Sequence, residues 1–282
     1  MSPHFTWDLV RDVRQLFEFP FMVNAFRAGT IVAVVAAVTG WFMVLRRETF
    51  AGHTLALVGF PGAAGAVLIG VSASLGYFAF CIAAALVLAL VPTTGRRGFS
   101  EESAVVGTVQ AFALACGFLF VSLYRGNLNG VNTLLFGSFL GITTGQVLLL
   151  AALGGATLVA LAAIARPLLF VSVDPDVAGA TGVPVRMVAG TYLLVLGVGA
   201  AAASQITGSL LVFALLVLPA ATAQRLTLRP ARSVVLAVVL ALLVTWVGLA
   251  LGYYTSYPIG FYVTTLAFGG FVIATVAARL AA

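Results

Sequence analysis

The chain has 282 residues, of which 62% are apolar and only 8% charged. An average soluble domain is about 45–50% apolar and about 25% charged. A water-soluble fold of this length needs more polar surface than this composition supplies, so the sequence indicates a membrane protein. All 14 basic residues are Arg, and the missing Lys excludes an ATP-binding Walker A lysine and a Schiff-base lysine.

The net charge of +6 comes from arginines that stand singly or in pairs and form no basic face. This distribution is typical of membrane-flanking residues, so no nucleic-acid partner is predicted. Cys81 and Cys116 lie apart in apolar runs and predict neither a disulfide nor a thiolate metal site. The sequence shows no nucleophile–base pair and no phosphate cradle, so neither an enzyme nor a bound cofactor is predicted.

Residues 1–25 differ from the rest of the chain because charges alternate with apolar residues at helical spacing. The apolar positions are Phe5, Leu9, Val13, Leu16 and Phe17. The pattern predicts an amphipathic helix that lies on the membrane surface and contacts lipid. Residues 26–282 are predicted to form a single transmembrane domain.

Apolar stretches of about 17–22 residues follow one another after residue 25, each long enough to cross a bilayer as a helix. They predict an all-α polytopic membrane bundle of about nine helices, with eight to ten compatible with the pattern. The predicted spans are 26–45, 54–75, 76–92, 103–123, 145–165, 187–203, 206–223, 233–252 and 259–279.

The arginines predict the orientation of this bundle. With nine spans and an outside N-terminus, four of the 14 arginines fall outside and the other ten fall on the cytoplasmic side, where positive charge accumulates. The four outer residues are Arg11, Arg14, Arg27 and Arg125.

The loop between Arg166 and Arg186 is the most informative one, because its flanking arginines place it in the cytoplasm. Asp174 suits a helix N-cap and Pro175 the first helical position, whereas Gly182 and then Pro184 end a helix. The pattern predicts a short helix near 174–183. Two interpretations remain open at this point: an interfacial connector, or a docking element for a cytoplasmic subunit.

Four stretches of the sequence are distinctive: VLRRETFAGHTLALVGFPGAAGA at 44–66, NTLLFGSFLGIT at 132–143, VDPDVAGATGVPV at 173–185 and GSLLVFALLVLPAATAQRL at 208–226. They resemble the permease subunits of ABC-type zinc, manganese and iron importers, the family called ABC-3. The resemblance extends from about Phe26 to the end of the chain. It implies an ABC importer permease fold in the cytoplasmic membrane.

The resemblance also implies partners. They are a cytoplasmic ATP-binding subunit, an extracytoplasmic solute-binding protein and a second permease, identical or similar. The short cytoplasmic helix would then be the coupling helix that contacts the ATP-binding subunit. Its expected contact residues are Asp174, Pro175, Asp176, Val177, Ala180 and Gly182.

One feature departs from the family pattern. Metal-transporting relatives carry an Asp and, four residues later, a His, a spacing that places both on one helix face as ligands for a divalent cation. Here those positions are His53 and Leu57. His53 is therefore either a transient ligand of a transported metal or a residue that only bonds a neighbouring carbonyl. Pro219, inside the seventh span, is either a gating bend or a simple kink.

The leading hypothesis is the permease of an ABC importer for zinc, manganese or iron, driven by a separate ATPase. The first alternative is an ABC permease for an iron chelate or a cobalamin-like cofactor, since the Asp/His pair is missing. The second alternative is a channel or secondary carrier that works without ATP. The scarcity of charge inside the spans argues against ion coupling of that kind.

Overall fold

A computed structural model describes residues 9–90, 98–124, 141–255 and 257–280, and helices are the only regular elements within these ranges. The helices are α1 (Leu9–Glu18), α2 (Pro20–Leu45), α3 (Thr49–Leu57), α4 (Gly59–Leu68), α5 (Ala73–Leu90), α6 (Gly98–Leu123), α7 (Thr144–Val173), α8 (Pro175–Ala180), α9 (Val185–Thr207), α10 (Ser209–Leu226), α11 (Pro230–Tyr254) and α12 (Ile259–Leu280). The prediction of an all-α bundle is confirmed.

Eight of the described helical stretches are long and apolar enough to cross a membrane, which lies within the predicted eight to ten. The predicted central number of nine also counts the seventh span, 206–223. In the structure the corresponding helix is α10, whose apolar part, Leu211–Leu226, is shorter than the other spans. Between them these helices make the chain a multi-pass protein of the cell membrane.

Three of the predicted spans have wrong boundaries. The first span begins at Pro20 rather than residue 26, since proline suits the first turn of a helix. The second, predicted at 54–75, begins at Thr49, ends at Leu68 and is divided into α3 and α4. The fifth, predicted to end at 165, continues through Pro167 to Val173. The 30 residues of α7 exceed the roughly 20 that a bilayer core needs, so its last turns project beyond the core.

The bundle is built around α2, which packs against α7, α10 and α11, and around α3, which lies among α6, α9 and α10. Glycines permit the closest approaches. The Cα of Gly40 meets the backbone of Leu216, and a β-carbon there would stand 2.8 Å from the Cα of Leu216. In lipid, such contacts replace the hydrophobic effect as the force between helices.

The N-terminal segment is described from Leu9 onward, so Phe5 lies outside the described residues. Leu16 is buried and Phe17 is half exposed, and the ring centroid of Phe17 lies 5.1 Å from that of Phe26 in α2. The helix α1 is thereby attached to the start of the bundle. Its position on a membrane surface stays a prediction, as does the division of the chain at residue 25.

Candidate functional site: the broken second span and the cytoplasmic helix

The second membrane span, Thr49–Leu68, has a break in its hydrogen bonding at Val58, between α3 and α4, although Val58 itself keeps helical φ and ψ of −68° and −12°. Pro61 has no backbone N–H, so the carbonyl of Leu57 lacks its usual donor four residues on. Gly59 adds flexibility and also admits a neighbour, because the ring of Tyr77 packs directly on its Cα. The sequence thus provides both a missing donor and the space for another helix at the same point.

Side chains of α5 add hydrogen bonds to α3 just before this break. The hydroxyl of Tyr77 donates to the carbonyl oxygen of Ala56 at 3.2 Å, and the thiol of Cys81 donates to that of Leu55 at 3.4 Å. Both donors are fully buried. Each donates to a carbonyl in the last turn of α3. The broken span is therefore a fixed part of the core rather than a frayed end.

His53, the predicted metal ligand, lies in α3 and faces α10. The centroid of its half-buried ring is 4.4 Å from that of Phe213. Its Nδ1 atom is buried and has no hydrogen-bond partner within the described part of the chain. The sequence left open whether His53 bonds a neighbouring carbonyl, and through Nδ1 it does not.

The residue one helical turn after His53 is not a metal ligand. Leu57, one helical turn further on, is a buried apolar residue. Across the described ranges, no group of three or more His, Cys, Asp or Glu residues is close enough to hold a metal ion. A single imidazole binds a divalent cation weakly, so this arrangement suits brief contact during passage rather than retention.

Two polar contacts beside His53 were not predicted from the sequence. The buried hydroxyl of Thr54 donates to Oε1 of Gln110 in α6 at 2.9 Å. An amide inside the predicted span 103–123 was the available signal for this pair. The guanidinium of Arg46 makes an ion pair with Glu48 at 2.6 Å and lies 5.5 Å from the ring centroid of Tyr192. Glu48, the N-cap residue of α3, thus pairs through one carboxylate oxygen. Its other oxygen, Oε2, is buried without a partner among the described residues.

The short helix α8 stands where the loop between the fifth and sixth predicted spans was expected to form one. Asp174 is its N-cap, and its Oδ1 accepts a hydrogen bond of 3.0 Å from the backbone N–H of Val177. Pro175 occupies the first helical position, and Gly182 follows the helix with φ of +87°. Glycine takes that left-handed conformation without strain.

Only one side of α8 is anchored. Ala178 is fully buried, whereas the six predicted contact residues are exposed. The exposed residues are Asp174, Pro175, Asp176, Val177, Ala180 and Gly182. Val177 is 49% exposed, and nearby Val173 and Met187 are 71% and 72% exposed. The helix therefore presents apolar side chains together with Asp176 beyond the membrane-spanning part of the bundle.

Pro219 is buried inside α10, which remains helical through it. Its missing N–H removes the backbone hydrogen bond to the carbonyl of Leu215. The next residue along, Leu216, is the one whose backbone contacts Gly40 of α2. The proline thus weakens α10 beside its closest crossing with the central helix.

The sequence profile of the ABC 3 transport family matches residues 18–278, which is nearly the whole chain. The chain belongs to this family. It is 30% identical over 215 residues to the manganese transport system membrane protein MntC of Halalkalibacterium halodurans, a match that covers 76% of this chain and 73% of that protein. It is 31% identical over 252 residues to the chelated iron transport system membrane protein YfeC of Yersinia pestis, with coverage of 89% and 84%.

The fold is also that of a solved structure, PsaBC from Streptococcus pneumoniae in complex with Fab. The two align with a TM-score of 0.82 at 23% sequence identity, over 94% of this chain and 95% of the other. As a member of the ABC 3 transport family, this chain is a membrane transport permease and not an enzyme in the usual sense. Of the four stretches that carry the resemblance, 132–143 lies mostly outside the described residues, since the structure begins again at residue 141.

Proposed function

We propose that this chain is the membrane-spanning subunit of an ABC importer that carries a divalent transition metal ion, namely manganese, iron or zinc. The observation that supports it most directly is the half-buried His53 in the second span, whose ring faces α10 and whose Nδ1 has no partner among the described residues. The carbonyl of Leu57, one turn after His53, lacks its helical donor because of Pro61, and a backbone carbonyl without that donor can contact a cation inside a span. The relatives named for manganese and for chelated iron support the same class of cargo.

The energy would come from a separate cytoplasmic ATPase that contacts α8. The exposed Val177 and Asp176 would form the contact, and the buried Ala178 would transmit its movement to α7 and α9, on which α8 packs. Asp174 would hold the helix in shape through its cap. Pro219 would provide the bend at which α10 moves when the two ends of the pathway open alternately.

Two further partners complete the proposed importer. A solute-binding protein would deliver the metal from outside the membrane, and a second permease, of the same or a similar chain, would complete the pathway. The N-terminal helix α1 would rest on membrane lipid. The ATPase must be a separate subunit, because this chain has no lysine for the phosphate-binding loop of an ATPase.

A second candidate cargo is a chelated metal. Leu57 replaces the expected second ligand, and an apolar wall next to one imidazole suits a complex whose ligands come from the chelator. Uptake of radioactive manganese and of a ferric chelate distinguishes the two cargoes, in cells whose other metal importers are deleted. We expect manganese uptake that unlabelled Mn²⁺, Fe²⁺ or Zn²⁺ inhibits. Uptake that only the chelate inhibits would support the second candidate.

The docking role of α8 is tested by co-expression with the partner ATPase. Val177→Asp places a charge on the proposed contact and is expected to reduce co-purification and ATPase stimulation about ten-fold. Val71→Asp is a matched control, because Val71 is 43% exposed in the turn between α4 and α5. Equal behaviour of the two variants would contradict the docking role.

A further inference from the structure

A cavity of about 860 Å³ lies between α1, α2, α7 and α11, at the end of the bundle where the N-terminal helix packs. Its wall is almost entirely apolar. The residues that matter for its chemistry are Phe17, Phe26, Arg27, Thr30, Val147 and Trp246. This end of the bundle is remote from α8. The 26 residues of α2 run from Pro20 at this end to Leu45 and the C-cap Arg46 at the opposite end.

The walls of the cavity are held in place by specific contacts. The rings of Phe17 and Phe26 join α1 to α2 with their centroids 5.1 Å apart. The indole N–H of Trp246 in α11 donates to the hydroxyl of Thr30 at 3.0 Å. Because its one polar atom is satisfied there, Trp246 contributes an apolar surface to the cavity, and the side chain is 44% exposed.

Among the described residues that line the cavity, Arg27 is the one with a charge. It lies seven residues after Pro20, which places it about 10 Å below the start of α2 at 1.5 Å per residue. Within the described ranges, the single ion pair joins Arg46 to Glu48, so no described carboxylate pairs with Arg27. The side chain of Arg27 is exposed, so its fork of N–H donors is free to pair with a phosphate.

We propose that the cavity binds an anionic phospholipid, whose phosphate pairs with Arg27 while an acyl chain lies along Phe26, Val147 and Trp246. An amphiphile fits this combination because one cation stands beside an otherwise apolar space. The cavity is open on one side, and its volume falls in the range of roughly 300–1,000 Å³ typical of small-ligand sites. A lipid with net negative charge is favoured over a zwitterionic one, whose own cation competes with Arg27 for the phosphate.

Trp246 allows the proposal to be tested by fluorescence quenching. The chain is placed in phosphatidylcholine nanodiscs with increasing fractions of brominated-chain phosphatidylglycerol or brominated-chain phosphatidylcholine. The signal of Trp246 is the difference between the wild-type protein and Trp246→Phe, because the chain has three tryptophans. We expect brominated phosphatidylglycerol to quench half of the Trp246 signal at a mole fraction about five-fold lower than brominated phosphatidylcholine needs. Equal quenching by the two lipids would overturn the proposal.

Two cavity variants and one control variant show where the preference for phosphatidylglycerol arises. Arg27→Gln is expected to abolish it, whereas Arg279→Gln, which removes an arginine from the last turn of α12, is expected to leave it intact. Ala250→Phe narrows the cavity while keeping Arg27, so it too is expected to remove the preference, and it serves if Arg27→Gln does not fold. A preference that survives in either cavity variant would overturn the proposal.

Absence of quenching by either lipid would also overturn the proposal, because it would mean that protein fills the cavity. The first eight residues of the chain are the nearest such segment along the sequence. Removing them is then expected to restore quenching, which would assign the cavity to the chain's own N-terminus instead of to a lipid.

Discussion

The hydroxyl of Tyr77 lies 3.2 Å from the carbonyl oxygen of Ala56 and donates a hydrogen bond to it across the interface of α5 and α3. Ala56 is in the last turn of α3, where the second membrane span is interrupted. Cys81, one turn further along α5, does the same for Leu55. One helix thereby holds the interruption of another, and the position of His53 depends on that arrangement.

Replacing Tyr77 by Phe removes the donor and leaves the carbonyl of Ala56 buried without it. An unpaired buried carbonyl costs about 1–3 kcal/mol. We expect the thermal midpoint of the detergent-purified protein to fall by several degrees. Tyr257→Phe is the control, because Tyr257 is 66% exposed. An equal fall in both variants would show that the bond to Ala56 does not support the break.

Gly40→Ala introduces a β-carbon against the backbone of Leu216. Backbone atoms within a helix cannot rotate away as a flexible side chain can. We expect a loss of about 2 kcal/mol or more in stability, since overpacking of a tight contact forces backbone shifts. Gly269→Ala is matched to it, since a β-carbon at Gly269 meets nothing within 4 Å. The yield of monodisperse protein and its thermal midpoint provide the measurement. A tolerated Gly40→Ala would contradict the close crossing of α2 and α10.

His53→Ala removes the imidazole beside Phe213 and is expected to reduce metal uptake about ten-fold, equivalent to roughly 1.4 kcal/mol. The double change His53→Asp with Leu57→His restores the ligand pair of the family and is expected to recover uptake. Initial rates of radioactive metal entry into cells give the measurement. Unchanged uptake in His53→Ala would remove this residue from the pathway.

Pro219→Ala supplies an N–H to the carbonyl of Leu215 and continues the hydrogen bonding of α10. The added bond contributes about 1 kcal/mol, so stability is expected to stay equal or rise. Transport is expected to fall, because a straighter and stiffer α10 moves less easily against α2. Thermal midpoint and ATP-driven uptake are measured on the same preparation. Wild-type uptake in this variant would leave Pro219 with a purely structural role.

Composition and apolar run length predicted the membrane bundle correctly because a bilayer accepts few other structures. The break at Leu57 was missed, since Pro61 and Gly59 stand in an unbroken apolar run and proline is tolerated in membrane helices. The extension of α7 to Val173 was missed because Arg166 and Pro167 look like the end of a span. In the structure α7 remains helical through Arg166 and Pro167.

The candidate site was only partly predictable. His53 and the residues around Asp174 carry polar or turn-forming side chains in otherwise apolar sequence, so they were visible. Tyr77 and Cys81 were not, because their role comes from facing α3 across 21 and 26 residues of sequence separation. Similarity to known proteins confirmed the family. The coupling role of α8 and the ligand role of His53 remain predictions.

ATP dependence tests the central claim most directly. The purified chain is reconstituted in liposomes with and without its partner ATPase, and entry of radioactive Mn²⁺ is followed with ATP supplied on the ATPase side. The account predicts entry only when both the ATPase and ATP are present, and loss of that entry in Val177→Asp. Equal entry through the chain alone would contradict it, because the chain would then be a channel or an autonomous carrier.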